Sequence, residues 1–202
     1  NIEKKALVLV PTRELAVQVE EEAKKLGKHT NLKIGSFYGG VAYESQVELL
    51  EKGIDIIIGT PGRIIDLCES NKMDLSNVCY LAVDEADRMF DMGFYPDLRK
   101  IVKLLPPSIS RQTMLFSATL NSYVKNLAWE YTEDAKEVTI EAEHITIDEI
   151  DQVLLHVSSD EKTKLLVGIL KNENPASVII FCNTKRSSEV IAKRLKINGI
   201  EA

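Results

Sequence analysis

Short runs of apolar, often β-branched residues alternate along the chain with longer stretches in which apolar residues recur every three or four positions. The short runs predict strands, and the longer stretches predict amphipathic helices. Most of the runs are apolar at consecutive positions, which favours strands of a parallel sheet with both faces buried. The predicted strands are Ala6–Val10, Ile34–Tyr38, Ile54–Ile58, Val78–Val83, Thr113–Phe116, Val138–Ile140, Val153–Val157 and Val178–Phe181.

Three stretches show helical spacing most clearly, and their apolar stripes are expected to face the core. Gly27 and Gly199 follow two of them and are predicted helix stops, while Pro106-Pro107 ends the third. The stripes run from Leu15 to Leu26, from Leu98 to Leu105 and from Val190 to Leu195.

A mixed, acidic stretch without a clear period, Glu141 to Glu149, predicts a domain boundary. We expect a first domain at 1–143, a linker at 144–149 and the beginning of a second domain at 150–202. About 50 residues are too few for a complete doubly wound domain, so we expect the chain to be a segment of a longer protein.

Composition narrows the possible classes. The chain has 202 residues, of which 45% are hydrophobic, so it can bury a core. No apolar run approaches the roughly 20 residues that cross a bilayer, so we expect no membrane span. Cys68, Cys79 and Cys182 are far apart and lie in apolar stretches, which favours free thiols in a cytoplasmic protein.

The net charge of −6 argues against a broad basic surface for nucleic acid. If this protein binds a polynucleotide, it must use a few focused phosphate contacts. Motifs at the predicted strand ends have to supply them.

The strongest motif is Asp84-Glu85-Ala86-Asp87, directly after a predicted strand. In an open parallel sheet, ligands bind beyond the carboxyl ends of the strands. There Asp84 would hold Mg²⁺ through water, and Glu85 would orient or deprotonate the water that attacks a terminal phosphate. Taken alone, this motif could equally be an ordinary polar end of a strand with no catalytic role.

Ser117-Ala118-Thr119 follows another predicted strand. Its hydroxyls can donate and accept, so they could bridge to the acids and change partners between states. A helix cap is an equally natural role for such a string.

Three further loops end predicted strands: Pro11-Thr12-Arg13, Gly39-Gly40 and Thr60-Pro61-Gly62-Arg63. The first and third are predicted to open helices, with Thr60 as cap and Pro61 at the first helical position. Free N–H groups at helix starts suit phosphates, and the two arginines add cations. Together the loops could follow a sugar-phosphate chain without reading its bases. Each loop alone is more simply ordinary turn chemistry.

In this order and at these separations, the five motifs resemble those of the DEAD-box ATP-dependent RNA helicases of superfamily 2. Arg88-Met89-Phe90-Asp91-Met92-Gly93-Phe94 and Val178 to Lys185 look like the family too. The resemblance covers essentially the whole chain. It implies two RecA-like domains, the second only begun here, with ATP, Mg²⁺ and RNA bound across their cleft.

The resemblance also implies roles for individual residues. Asp84 would contribute to Mg²⁺ binding and Glu85 would position the attacking water. Asp87, Ser117 and Thr119 would link the nucleotide state to domain closure. The implied RNA-lining positions are Pro11, Thr12, Arg13, Gly39, Gly40, Thr60, Pro61, Gly62, Arg63, Thr184 and Lys185.

The chain departs from the family pattern in one important way. The Gly-rich loop with Gly-Lys-Thr that cradles the phosphates is absent from the 202 residues. The adenine-recognition segment and the later motifs with arginine fingers are missing as well. We therefore expect these residues alone not to hydrolyse ATP, and expect a fragment without the central strand before Ala6 to fold poorly.

Two other functions are compatible with the sequence. One is a non-catalytic RNA clamp or ribonucleoprotein scaffold, which the presence of Glu85 argues against. The other is a DNA helicase of the same superfamily, which the Asp-Glu-Ala-Asp string argues against. A third interpretation is an ordinary α/β domain in which the motifs occur by chance. Five motifs in the family's order argue against it.

Overall fold

The structure, a computed structural model, describes residues 4–140 and 150–201. The chain divides into two compact units, Asn1–Thr139 and Ile140–Ala202. The linker expected at 144–149 lies outside the described residues, so the domain limits at 143 and 150 remain predictions.

The first unit is built on one parallel sheet of five strands. They are β1 (Lys5–Leu9), β2 (Ile34–Phe37), β3 (Ile56–Gly59), β4 (Val78–Val83) and β5 (Gln112–Leu115). Their order is β2-β3-β1-β4-β5, and all four pairings are parallel. Parallel neighbours require crossover connections, and helices supply them. The predicted α/β sheet flanked by helices is confirmed.

Six helices connect or follow these strands. They are α1 (Arg13–Leu26), α2 (Tyr43–Glu51), α3 (Pro61–Glu69), α4 (Ala86–Asp91), α5 (Tyr95–Lys103) and α6 (Ser122–Tyr131). Gly27 caps the end of α1 and Pro61 starts α3, as predicted. In the parts of the chain that are described, no helix is long and apolar enough to cross a membrane.

Alternate residues of the strands face two different cores. Leu7, Leu9 and Leu81 point into the larger core, which also contains Ile64 and Met89 from the helices. On the other face, Val10, Ile34 and Ile58 pack with Ala16 of α1. The sheet is therefore covered on both faces along β1, β2 and β3.

β5 is not buried on both faces, contrary to the prediction from its run of apolar residues. Met114 is 36% exposed and the neighbouring Tyr80 of β4 is 51% exposed. Because β5 is the edge strand and α1 packs on β2 and β3, no described helix of the first unit covers this face.

The second unit contains two helices among its described residues, α7 (Lys162–Glu173) and α8 (Lys185–Ile197). The helix predicted before Gly199 is confirmed by α8. The strands predicted at Val138–Ile140, Val153–Val157 and Val178–Phe181 are wrong, because these residues form no sheet. A strand needs a hydrogen-bonded partner, and these runs stay exposed, with Phe181 at 92%.

Candidate functional site

All five strands end level with one another, at the edge where the predicted motifs begin. Leu9 of β1 is in register with Gly59 of β3 and with Val83 of β4. The outer strands continue the row, since Phe37 pairs with Gly59 and Leu115 pairs with Val83. The carboxyl edge of one sheet therefore carries the three loops, the acids and Ser117-Ala118-Thr119 side by side.

Asp84 and Glu85 turn the chain from β4 into α4. The Asp84 amide donates to the Leu9 carbonyl at 2.9 Å, and Asp84 Oδ1 accepts from the Glu85 amide at 2.9 Å. Glu85 has φ 47° and ψ 52°, a left-handed conformation that non-glycine residues adopt infrequently. Its Oε2 atom pairs with Arg88 Nη1 at 2.9 Å. This carboxylate therefore already has one cationic partner.

Asp87 is the acid that joins the two neighbouring strand ends. Its Oδ2 atom accepts from the Thr119 amide at 3.0 Å and from the Thr119 hydroxyl at 2.9 Å. The Asp87 amide donates to Ser117 Oγ at 3.3 Å, and that hydroxyl donates to the Thr119 carbonyl at 2.9 Å. The structure thus brings together Asp87, Ser117 and Thr119, which sequence reasoning grouped.

The hydrogen bonds to Asp87 favour its ionised form. Burial acts to raise the pKa of Asp87, but the bonds from Thr119, from the Arg88 amide and with Ser117 outweigh it. The net pKa of Asp87 therefore lies below its usual value, and the carboxylate is charged at neutral pH.

The loop after β1 opens α1 with a side-chain cap. Thr12 Oγ1 accepts from the Leu15 amide at 3.2 Å, while Pro11 is buried. Arg13 is exposed, and its guanidinium carbon lies 5.4 Å from the centre of the Tyr38 ring. A Cβ atom at Gly40 would lie 3.4 Å from Arg13 Nη1, so this arginine reaches the glycine loop after β2.

The loop after β3 opens α3 without a side-chain cap. Thr60 is the N-cap residue of α3, as predicted, but its hydroxyl makes no capping hydrogen bond. Its amide donates instead to the Phe37 carbonyl at 3.0 Å. Pro61 is buried at the first helical position, and Gly62 is exposed.

Unbonded amides line this edge. Within 4–140 and 150–201, the amides of Arg13, Gly39, Gly40 and Gly62 donate to no protein acceptor. Free N–H groups at a helix start or in a glycine turn present a local positive potential. Three adjacent strand ends can therefore bind anions without adding net charge to the protein.

Sequence reasoning missed Gln46, which connects two of these loops. The residue is 5% exposed, on α2, and its amide contacts Tyr38 and Arg63. Its signal was a polar residue on the apolar face that Tyr43, Val47 and Leu50 mark by helical spacing. The Arg63 side chain is only 11% exposed as a result, so its guanidinium holds the loop and does not face solvent.

Thr184 and Lys185 lie in the second unit, at the start of α8. Thr184 Oγ1 accepts from the Ser187 amide at 3.1 Å and caps the helix, and Lys185 is exposed.

A metal ion would find few ligands among the described residues. They contain no group of three or more His, Cys, Asp or Glu side chains able to hold one. The Oδ2 atom of Asp84 accepts no hydrogen bond within the described chain, so this carboxylate fits a single, water-mediated ligand of Mg²⁺. Water and phosphate oxygens would have to complete the shell.

Comparison with known proteins agrees with this geometry. The sequence profile of the DEAD/DEAH box helicases matches residues 1–127. The chain is 43% identical over 195 residues to the ATP-dependent RNA helicase RhlB of Aeromonas hydrophila, and 44% identical to that of Pseudoalteromonas atlantica. Each alignment covers 96% of this chain and 46% of the relative. The chain thus spans just under half the length of these relatives.

A solved structure, titled a hypothetical ATP-dependent RNA helicase from Sulfolobus tokodaii, aligns with a TM-score of 0.61 and 34% identity. It covers 67% of this chain, while this chain covers 40% of it. The fold class is therefore RecA-like. This chain belongs to the DEAD/DEAH box helicase family.

Proposed function

We propose that the intact protein is an ATP-dependent RNA helicase of the DEAD-box type, a hydrolase that couples ATP turnover to RNA clamping and local duplex unwinding. The row of unbonded amides on three adjacent strand ends, beside the acids of β4, carries this proposal. The names of the RhlB relatives support it.

RNA would run along the loops after β2, β3 and β1. The amides of Gly39, Gly40 and Gly62 would donate to phosphate oxygens, with Arg13 as the exposed cation. Amides read no base edges, so binding would be independent of sequence. The other positions in this path are Pro11, Thr12, Thr60, Pro61 and Arg63, whose backbone shapes the loops.

In the second unit, Thr184 and Lys185 would be further RNA contacts. Lys185 is an exposed cation at the start of α8, next to a helix N-terminus that favours anions.

ATP and Mg²⁺ would bind at the acids after β4. Mg²⁺, when bound, neutralises charge that develops on the phosphate oxygens. Asp84 would hold it through water, with the carboxylate fixed by the Glu85 amide at 2.9 Å. The phosphate-cradling loop is absent from the 202 residues, so we propose that turnover belongs to the intact protein and that these residues alone are inactive.

Glu85 would orient the attacking water and accept its proton. Its carboxylate is 37% exposed, so water can reach it. The ion pair with Arg88 must open or be shared during this step, because one carboxylate oxygen is occupied by the guanidinium. The left-handed backbone at Glu85 fixes where its side chain leaves the chain.

Asp87, Ser117 and Thr119 would transmit the nucleotide state. They join the segment after β4 to the segment after β5, so a shift at the acids moves the start of the next loop. Hydroxyls can exchange partners without a large rearrangement.

We also place the protein in the cytoplasm. All three cysteines are free, and burial raises the pKa of Cys68 to about 11, which makes it an inert thiol. A reducing compartment fits this usage.

Unwinding of a short RNA duplex by the intact protein tests the proposal. Repeated strand separation, with duplex in excess over protein, should require ATP with Mg²⁺. It should fail when a non-hydrolysable analogue replaces ATP. Tight RNA binding with no ATP turnover would instead identify a clamp. Equal activity on RNA and on DNA of the same sequence would identify a DNA-directed enzyme, since no 2′-hydroxyl would be needed.

A further inference from the structure

We infer that Gln46 is a positioning residue that ties the two amide-bearing loops after β2 and β3 into one rigid RNA-binding unit. The inference deepens the proposed function and rests on it. Gln46 itself faces no solvent and would touch no RNA.

Gln46 and Ser36 are the buried polar side chains of the described chain. Burying an amide is costly unless both its ends are hydrogen-bonded. Gln46 Nε2 donates to the Tyr38 carbonyl at 3.0 Å, and Gln46 Oε1 accepts from Arg63 Nη1 at 2.8 Å. The side chain is satisfied at both ends, and each end lies on a different loop.

These two contacts flank the groups proposed to bind phosphate. Tyr38 directly precedes Gly39-Gly40, and Arg63 directly follows Gly62. Arg63 also reaches across to the glycine loop, with Nη2 3.5 Å from the Val41 carbonyl. Residues on both sides of the glycine pair are thus held through Gln46 and Arg63.

Arg63 is placed from several directions. Its guanidinium carbon lies 5.5 Å from the centre of the Tyr43 ring, and Nε lies 3.7 Å from Asp66 Oδ2. Asp66 is 54% exposed, so this ion pair is weak. The buried acceptor on Gln46 is therefore the contact that fixes the guanidinium.

Glycines have wide conformational freedom, and Gly40 already uses a left-handed φ of 82°. If the loop were released, RNA would have to order it on binding, at a cost in affinity. A phosphate path made of backbone amides depends on such preorganisation more than a path of long cationic side chains does. Gln46 therefore contributes to RNA affinity without touching RNA.

The test uses the intact protein with Gln46→Leu, which keeps the volume and removes both hydrogen bonds. Gln46→Asn, shorter by one methylene, cannot span both partners and serves if the leucine variant does not fold. Ser36→Ala is the matched control, because Ser36 is the other buried polar residue and bonds to Glu20, away from the loops.

Two readouts are needed. One is the Kd of a labelled oligouridine of roughly ten nucleotides, measured with Mg²⁺ and a non-hydrolysable ATP analogue. The other is amide hydrogen exchange without RNA at Thr60 and Ile64, whose amides donate to the Phe37 and Thr60 carbonyls beside the two loops. We expect Gln46→Leu to raise the Kd about tenfold, which is about 1.4 kcal/mol, and to speed exchange at these amides. Ser36→Ala should change neither, whatever its melting temperature.

The outcomes distinguish failure of the Gln46 role from failure of the proposed function. In one outcome, the wild-type protein binds the oligouridine while a folded Gln46 variant has the same Kd and the same exchange rates. That result overturns the role of Gln46 and leaves the proposed function standing. Equal losses of affinity in Ser36→Ala and Gln46→Leu would also overturn it, by revealing a general stability effect. Failure of the wild-type protein to bind RNA overturns the proposed function and the RNA role of Gln46 with it.

Discussion

Thr119 donates two hydrogen bonds to one oxygen of Asp87, from its amide at 3.0 Å and from its hydroxyl at 2.9 Å. The two residues are 32 positions apart, so this contact connects the end of β4 with the end of β5. Bonds to a carboxylate are stronger than neutral ones, although the exposure of this site weakens them. The contact links a side chain of the acidic motif to the segment that follows β5.

Replacing Thr119 by Val keeps the side-chain volume and the amide bond but removes the hydroxyl bond. We expect unwinding by the intact protein to fall about fivefold, because one bond of roughly 1 kcal/mol is lost from the coupling, while RNA binding is retained. Thr132→Val is the control, since Thr132 Oγ1 donates to the Ala128 carbonyl outside the site. Parallel loss of RNA binding and unwinding would contradict a coupling role.

Asp87 should also give the stability of the protein a characteristic pH dependence. Its pKa is lowered in the folded protein from an ordinary 3.8. The stabilisation is therefore complete above that value and disappears as pH falls through the lower folded pKa. The difference in free energy of unfolding between wild type and Asp87→Asn should be constant near neutral pH and shrink in acid. A difference that grows in acid would contradict the hydrogen-bond assignment.

Gly40 and Gly53 form a matched pair for the glycine loop. Both have a left-handed φ, 82° and 76°, but Gly53 follows α2 at the opposite edge of the sheet. Alanine at either position should cost about 1–2 kcal/mol of stability. Only Gly40→Ala should weaken RNA binding, because strain at this positive φ displaces the glycine-loop amides proposed to bind phosphate, whereas Gly53 lies off the proposed path. Equal RNA affinities in the two variants would remove the glycine loop from the RNA path.

RNA binding through amides should depend little on salt. Two exposed cations, Arg13 and Lys185, are among the proposed RNA contacts, so the logarithm of the association constant should fall against the logarithm of salt with a slope of about −1.4. Arg13→Gln should reduce the slope by about 0.7, whereas Lys28→Gln, beyond the far end of α1, should not. A steep slope of about −5 would indicate a basic surface elsewhere.

The five strands of the first unit could be predicted because each is an apolar run that ends in a turn. The three runs between Val138 and Phe181 have the same composition and form no sheet. Pairing with a neighbour decides whether such a run becomes a strand, and a local pattern does not contain that information.

Within the site, the grouping of the motifs was predictable because each follows a strand, and parallel strands all end at the same edge of a sheet. The details that failed depend on tertiary contacts. The Thr60 amide bonds to the Phe37 carbonyl while its hydroxyl makes no capping bond. Gln46 lies on the apolar face of α2, but its two hydrogen-bond partners are set by packing. The burial of Arg63 depends on its contacts with Gln46 and the Tyr43 ring, which form only when α2 packs.

The proposed function requires that RNA held on this edge drive ATP hydrolysis at the acids of the intact protein. Steady-state ATP hydrolysis by the intact protein, with single-stranded RNA, with DNA of equal sequence and with neither, tests it most directly. We expect stimulation by RNA alone. Glu85→Gln should lower the stimulated rate by about 10²–10⁴-fold and preserve RNA binding with the ATP analogue, while Glu44→Gln, in the first turn of α2, should match wild type. A rate indifferent to RNA, or full turnover in Glu85→Gln, would contradict the account.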